Sequence, residues 1–241
     1  MTSLEKIQDI VRSRWEKEGI LDEEIAVSAR TLTVEEAIGN PERDDFPLQQ
    51  GKERLMEARF RNSAGQAFTD HFGNFNGPLR EIAEMPLQNS FRRAIFVATL
   101  NAVERELGHT THTIHCKDGG PAKCSPQLAE HIREHYGPET KITQIGYQPS
   151  MIEELAKSFS MRVIDLDPDN IGTAKLGPTI EGPDTTQDAI DWADLLLVTG
   201  STIANDTVDK FITDTPVLFY GTTISAAADI MGWDRFCCQS S

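Results

Sequence analysis

The chain has 241 residues, 39% of them hydrophobic and 25% charged, with a formal net charge of −15. That length and balance fit one large or two small globular domains. The negative charge argues against bulk attraction to nucleic acid or to an anionic membrane surface, without excluding a local basic pocket.

The opening residues MTSLEKIQDIVRSRWEKEG are charged and contain no apolar h-region, so no secretory signal is expected. A cytoplasmic setting follows, with reduced thiols at Cys116, Cys124, Cys237 and Cys238. No apolar run approaches the length of a membrane span. Leu4, Ile7, Ile10, Val11 and Trp15 recur at helical spacing and predict an amphipathic helix over 3–18. EEIAVSARTLTVEEAIG alternates and is β-branched, which predicts a strand or hairpin continuing through 31–38. The charged, proline-bounded NPERDDFPL precedes a helix expected from about Gly51. Residues 64–75, AGQAFTDHFGNF, read as a loop with short extended pieces.

A second helix is expected over 89–107, capped by Asn89 or Ser90 and ended by Gly108. A polar loop covers 109–126, and a short helix capped by Ser125 follows over 125–136. From Lys141 the pattern becomes strand–helix alternation. Strands are predicted at Lys141–Ile145, 161–166, Leu195–Thr199 and Val217–Tyr220, and helices at 150–158 and Thr186–Trp192. The proline- and glycine-rich 167–185 reads as a loop. Apolar β-branched runs that end in a turn and open a helix are the units of a parallel sheet. The fold class is therefore α/β: a small α+β domain over 1–88, then a parallel-sheet domain over 89–241.

Three strand ends share one chemistry: Gly146-Tyr147-Gln148, Gly200-Ser201-Thr202 and Gly221-Thr222-Thr223. Glycine lets a ligand approach the backbone, and hydroxyls with helix N-terminal N–H groups suit a polar or anionic one. In open α/β sheets, ligands lie beyond the carboxyl ends of the strands. The candidate ligand residues are Gly146, Tyr147, Gln148, Asp165, Thr199, Gly200, Ser201, Thr202, Gly221 and Thr222. Each has a plainer reading as well. On that reading Ser201 or Thr202 would be simply an N-cap, and Asp165 would cap a strand or loop. Asp165 follows Gly146 by 19 residues, the spacing of a ribose-binding acid, yet the turn lacks the G-x-G-x-x-G of dinucleotide folds.

HTTHTIHCKDGGPAKC offers His109, His112, His115, Cys116 and Cys124 as potential metal ligands. Its spacing is not that of a regular finger, and the alternative is a structural loop with one or two residues facing a cleft. Arg43 and Asp45, held between Pro41 and Pro47, are either a solvated ion pair or substrate contacts. There is no nucleotide P-loop, no G-x-S-x-G and no H-E-x-x-H.

Taken in order, NPERDDFPL, GQAFTD, ATLNAV, IHCKD, IGYQP, DLDPDNIG, LLVTGSTIAN, FYGTTI and RFC resemble the "putative heavy-metal chelation" family, a domain of unknown function, from roughly residue 24 to 238. The resemblance implies a first domain like the N-terminal domain of enolase, a Rossmann-like second domain, and a site between them. The chain departs from the pattern at Cys238, where a proline is expected.

The expected cleft adds Asn101, Arg43, Asp45, His115, Cys116 and Asp118 to the glycine turns, with His115 and Cys116 as metal candidates. The expected function is binding of a small molecule or metal chelate. The cofactor, if any, is a transition metal or a metal complex. The alternative is an enzyme acting on a nucleotide-like, adenosyl or pterin-like substrate, and a third reading is a structural or regulatory partner of a transport system. Expected partners are a small-molecule ligand, with a homo-oligomer left open, and neither nucleic acid nor membrane.

Overall fold

A computed structural model describes residues 1–22, 26–51 and 53–241; the expected strand's residues 23–25 lie outside these. Helix α1 (Ser3–Lys17) starts at a reciprocal cap between Thr2 and Glu5 and buries Leu4, Ile7, Val11 and Trp15. Strand β1 (Ala26–Thr31) follows. The strand expected to continue through 31–38 is instead helix α2 (Val34–Ile38). Thr33 and Glu36 form a capping box there, and that cap outweighs the β-branched residues beside it.

The helix expected from Gly51 is strand β2 (Arg54–Phe60), and the loop expected at 64–75 contains strand β3 (Ser63–Thr69). Lys-Glu-Arg-Leu-Met-Glu favours a helix locally, but β2 is paired along its length with β1 and β3, and pairing overrides propensity. Strand β4 (Phe75–Pro78) completes an antiparallel sheet of order β3-β2-β1-β4. Helix α3 (Leu79–Ala83) leads into helix α4 (Ser90–Glu106), capped by Asn89 as expected.

Helix α4 is buried on every side from Arg93 to Glu104, so it must be sandwiched. One side lies on β3 and β2. The small residues of β3 permit this contact: a Cβ at Gly65 would stand 2.3 Å from the Ala102 amide nitrogen.

Helix α5 (Gly120–Tyr136) begins five residues before the expected 125–136, with Pro121 in its first turn. Then come β5 (Lys141–Ile145), α6 (Pro149–Leu155), β6 (Ser160–Ile164), β7 (Ile180–Glu181), α7 (Thr186–Trp192), β8 (Leu195–Thr199), α8 (Ser201–Ala204), β9 (Val217–Tyr220), α9 (Ser225–Met231) and β10 (Arg235–Phe236). The short strands β7 and β10 were not visible in the sequence. All six strands are parallel, in the order β10-β9-β8-β5-β6-β7. Leu195–Val198 is buried throughout, as befits a strand covered on both faces.

One face packs Leu128, Ile132, Met151 and Leu155 of α5 and α6 against Ile142, Leu195, Leu197 and Leu218. The other packs Leu196, Val198 and Phe219 into a core shared with α4, α7 and α9. Helix α4 thus touches β3 and β2 on one side and α8 and α9 on the other, joining the two sheets. Among the described residues no helix is long and apolar enough to cross a membrane.

Candidate functional site

The strand order places β9, β8 and β5 side by side with their carboxyl ends on one edge. The connection reverses direction between β5 and β8, since β6 and β7 build out one way and β8, β9 and β10 the other. That is the switch point at which open α/β sheets hold ligands. Gly146, Gly200 and Gly221 all stand on this edge, next to one another in the sheet.

The three glycines are there for different reasons. Gly146 has φ +94° and Gly221 has φ +91°, both left-handed. A Cβ at Gly146 would meet the Thr199 methyl at 2.8 Å and the Tyr220 hydroxyl at 3.1 Å. Gly200 has an ordinary backbone, but a Cβ there would lie 2.8 Å from the Ile224 amide. It is small so that the β8 turn can pack on the β9 turn.

Several candidate side chains already have protein partners. Gln148 accepts from the Met151 amide at 2.8 Å and so caps α6. Thr202 is buried and donates to the Thr199 carbonyl at 2.8 Å. The Asp165 carboxylate accepts from the Tyr147 amide at 2.9 Å, the Asp167 amide at 2.9 Å and the Asn170 side chain at 3.1 Å. It fastens the β5 turn to the β6 loop, which matches the plainer reading of this residue.

Asn101 is 0% exposed. Its amide nitrogen is within hydrogen-bond reach of the Gln66, Thr222 and Thr223 carbonyls, at 2.9, 3.1 and 3.2 Å, and its oxygen accepts from the Ala226 amide at 2.9 Å. No polar group of Asn101 is left for a ligand. The residue expected to line the cleft is an internal brace, because α4 is enclosed on every side. Thr199 and Ser201 remain half-buried, their hydroxyls 3.2 Å apart. The Thr222 hydroxyl is buried without a hydrogen-bond partner among the described residues.

Arg43 and Asp45 form a bidentate pair at 2.8 and 2.7 Å, and Arg43 also bonds Glu153 of α6. The pair holds Asp45 below the usual carboxylate range. It also ties the loop after α2 to the parallel-sheet side. A second tie joins the Asp118 carboxylate to the Asn40 amide at 2.8 Å, and a third joins the Phe68 amide to the Thr223 hydroxyl at 3.0 Å.

The sequence reading missed Glu53, just before β2. Burial, then the charges of Asp165 and Asp70, push its carboxyl up to about 7. These three acids come from both sheets. The Tyr220 hydroxyl, at the end of β9, is raised by burial and feels the charges of Asp165 and Glu53 as well. No sequence signal marked Glu53, which fell in a segment expected to be a helix from about Gly51.

His115 packs edge-on against Phe68 at 5.2 Å, and burial lowers its imidazole to about 4. Its Nδ1 has no hydrogen-bond partner among the described residues. Cys116 lies against Gly120, with its sulfur 3.0 Å from where a Cβ there would be. Its electrostatic neighbours are Cys237 and Cys238 rather than His115. Among the described residues, no three His, Cys, Asp or Glu side chains are arranged to hold a metal ion. The cavities of about 340 Å³, beside His71, Ser90 and Arg93, and 240 Å³, beside Arg14, Glu104 and Asp229, have no glycine-turn residue in their walls.

Residues 129–232 match the DUF364 family model. Its description is "Putative heavy-metal chelation", and the matched segment runs from the middle of α5 to the end of α9. The DUF364 resemblance extends to solved structures. A DUF364 protein of unknown function from Pyrococcus horikoshii aligns with TM-score 0.52 at 15% identity, over 88% of this chain and 78% of that one. A DUF364 protein of unknown function from Desulfitobacterium hafniense DCB-2 aligns with TM-score 0.52 at 10% identity, over 74% of this chain and 72% of that one. At such identities the likeness is one of fold. No curated protein matches the chain.

Proposed function

We propose that the protein binds a small cationic ligand, a metal chelate in the first instance, in the cleft between the antiparallel sheet and the carboxyl edge of the parallel sheet. The observation that carries this reading is that Glu53, just before β2, lies within electrostatic range of both Asp70 and Asp165, the latter at the carboxyl edge of the parallel sheet. Glu53 is disfavoured as an anion by burial and by its two acidic neighbours, and a cation among them would relieve both costs. The only arginine proposed for the cleft, Arg43, is already paired with Asp45 and Glu153. Gly146 and Gly221 give a ligand access to backbone, and Tyr147, Thr199, Ser201 and Thr222 supply polar contacts. In this proposal residues 1–88 contribute Glu53 and Asp70, and residues 89–241 contribute Asp165 and the glycine turns.

The test is titration calorimetry with preformed nickel, cobalt and iron complexes of small neutral amine chelators, which keep the positive charge of the metal, beside the free ions. Saturable binding of a complex is expected, weakened roughly 10- to 100-fold by Glu53→Gln, the value of one charge-assisted contact. Equal binding by the variant, or binding of no complex, would overturn the reading.

One observation favours a second reading. A carboxyl raised to about 7 is suited to general acid–base work near neutral pH, so Glu53 is the candidate catalytic group if the cleft is an active site. The substrate would be nucleotide-like, adenosyl or pterin-like. Asp165, with three hydrogen bonds already accepted, keeps about one further acceptor position for a ribose hydroxyl. Turnover of such a compound, abolished by Glu53→Gln, would decide for the enzyme.

A further inference from the structure

The Cys124 thiol has the other three cysteines of the chain within electrostatic range, although 116 and 124 are more than a hundred residues from 237 and 238. None of them lies in the segment 129–232 that matches the family. The Cys124 and Cys238 sulfurs are 3.5 Å apart. Cys124 lies within electrostatic range of Cys238, Cys237 and Cys116, and Cys116 within range of Cys237 and Cys238.

Two pieces of construction bring them there. Cys116 packs on Gly120, the first residue of α5, and Cys124 follows Gly120 by four residues on the same helix face. Residues 237–241 are fastened alongside. Ile114 and Ser241 exchange backbone hydrogen bonds at 2.9 and 3.1 Å. His112 contacts the Ser240 carbonyl at 2.7 Å, Arg105 donates to the Ser241 carbonyl at 2.8 Å, and the Ser240 hydroxyl donates to the Cys237 carbonyl at 2.7 Å. The tail is therefore held at both flanks of the cysteine pair.

We propose that Cys124 and Cys238 form a two-coordinate thiolate site for a soft monovalent metal ion of the Cu(I) class, with Cys116 and Cys237 beside it as outer groups. Thiolate sulfur selects such ions over hard cations. The coordination number follows from the geometry, since only one pair of thiols is in contact and no three described side chains are arranged around a point. A linear S–M–S unit spans roughly 4.6 Å at about 2.3 Å per bond, so the sulfurs need to part by about 1 Å. Cys238 is exposed and can make that move, while buried Cys124 stays fixed in the helix.

Binding converts two thiols and one monovalent cation into a bis-thiolate complex with one net negative charge, and two protons leave to solvent. The α5 N-terminus and the Arg235 guanidinium, within electrostatic range of Cys237, oppose that charge. In the metal-free protein, burial and the neighbouring thiols raise Cys116 and Cys124, so an ion must displace the Cys124 proton on binding. This site is separate from the cleft and does not depend on what the cleft binds.

The test is anaerobic titration of the reduced full chain with Cu(I) in competition with a chromophoric Cu(I) chelator, together with X-ray absorption at the copper edge. One ion per chain with two sulfur neighbours is expected. Cys238→Ser, at an exposed position, should weaken binding roughly 100-fold or more with the circular dichroism spectrum unchanged, and Cys124→Ser should do the same. Cys116→Ser and Cys237→Ser should cost roughly tenfold or less, as outer groups. Glu53→Gln should leave copper binding unchanged, which separates this site from the cleft. Retention of Cu(I) by the Cys124→Ser/Cys238→Ser double variant, or no retention by the wild type, would refute the site. Three or four sulfur neighbours, or equal losses for all four single variants, would overturn the two-coordinate assignment.

Discussion

Replacing Asn101 by alanine tests whether this residue is the brace between the two sheets. Its side-chain oxygen accepts from the Ala226 amide, in the first turn of α9, where the residue at the cap position, Ile224, offers no side-chain acceptor. Asn101 therefore caps α9 from a different helix, and losing a cap costs about 1–2 kcal/mol. On the other side, its amide nitrogen serves the Gln66, Thr222 and Thr223 carbonyls. The Thr222 carbonyl keeps the Ser225 amide at 3.1 Å and hydroxyl at 2.7 Å, so its loss is small. The Thr223 carbonyl loses its Asn101 donor, at about 1–2 kcal/mol. The sum is about 3 kcal/mol, a large share of the stability of an ordinary domain. Urea denaturation followed by tryptophan fluorescence and circular dichroism should show a lower midpoint at unchanged slope, with the two probes coincident. Asn101→Asp should be worse at neutral pH, because it sets an anion against three carbonyls. A loss below about 1 kcal/mol for Asn101→Ala would show that water or local repacking replaces the brace and would refute the reasoning.

Glu53 gives a pH prediction whose sign is fixed. Its folded-state carboxyl, near 7, holds a proton more tightly than the unfolded one, so stability falls as pH rises from about 4.5 to about 7. Glu53→Gln should therefore stabilise the chain above pH 7 by up to about 3 kcal/mol, with the difference vanishing below about pH 4.5 in denaturation curves; a pH-independent difference would exclude a perturbed carboxyl. Gly200→Ala should destabilise by about 1–3 kcal/mol in the same assay, since its Cβ would lie 2.8 Å from the Ile224 amide; neutrality would mean that the β8 and β9 turns are not in close contact. Asp165→Ala should raise hydrogen exchange at the Tyr147 and Asp167 amides, its backbone partners, whether or not a ligand is present; protection unchanged from wild type would remove the structural role.

What the sequence determined by itself is mainly the second half of the fold. The boundaries of β5, α7, β8 and β9 were legible because parallel strands covered on both faces are continuous apolar runs, and glycine turns punctuate them. The α4 helix was legible from its apolar content and its Asn89 cap. Propensity misled in the first half, where the Glu-Arg-Leu-Met-Glu segment is a strand only because β1 and β3 lie on either side of it. The glycine turns share one edge because adjacent parallel strands all end there, which follows from the alternation once the strand order is known. Tertiary structure alone decided the rest. Glu53 comes within electrostatic range of Asp165 beyond the other sheet, Asn101 caps a helix 125 residues away, and Cys124 meets Cys238 from a distant segment. Such groupings depend on the packing of α4 between the sheets and on the pinned tail at 237–241, long-range contacts that leave no periodic trace in the chain.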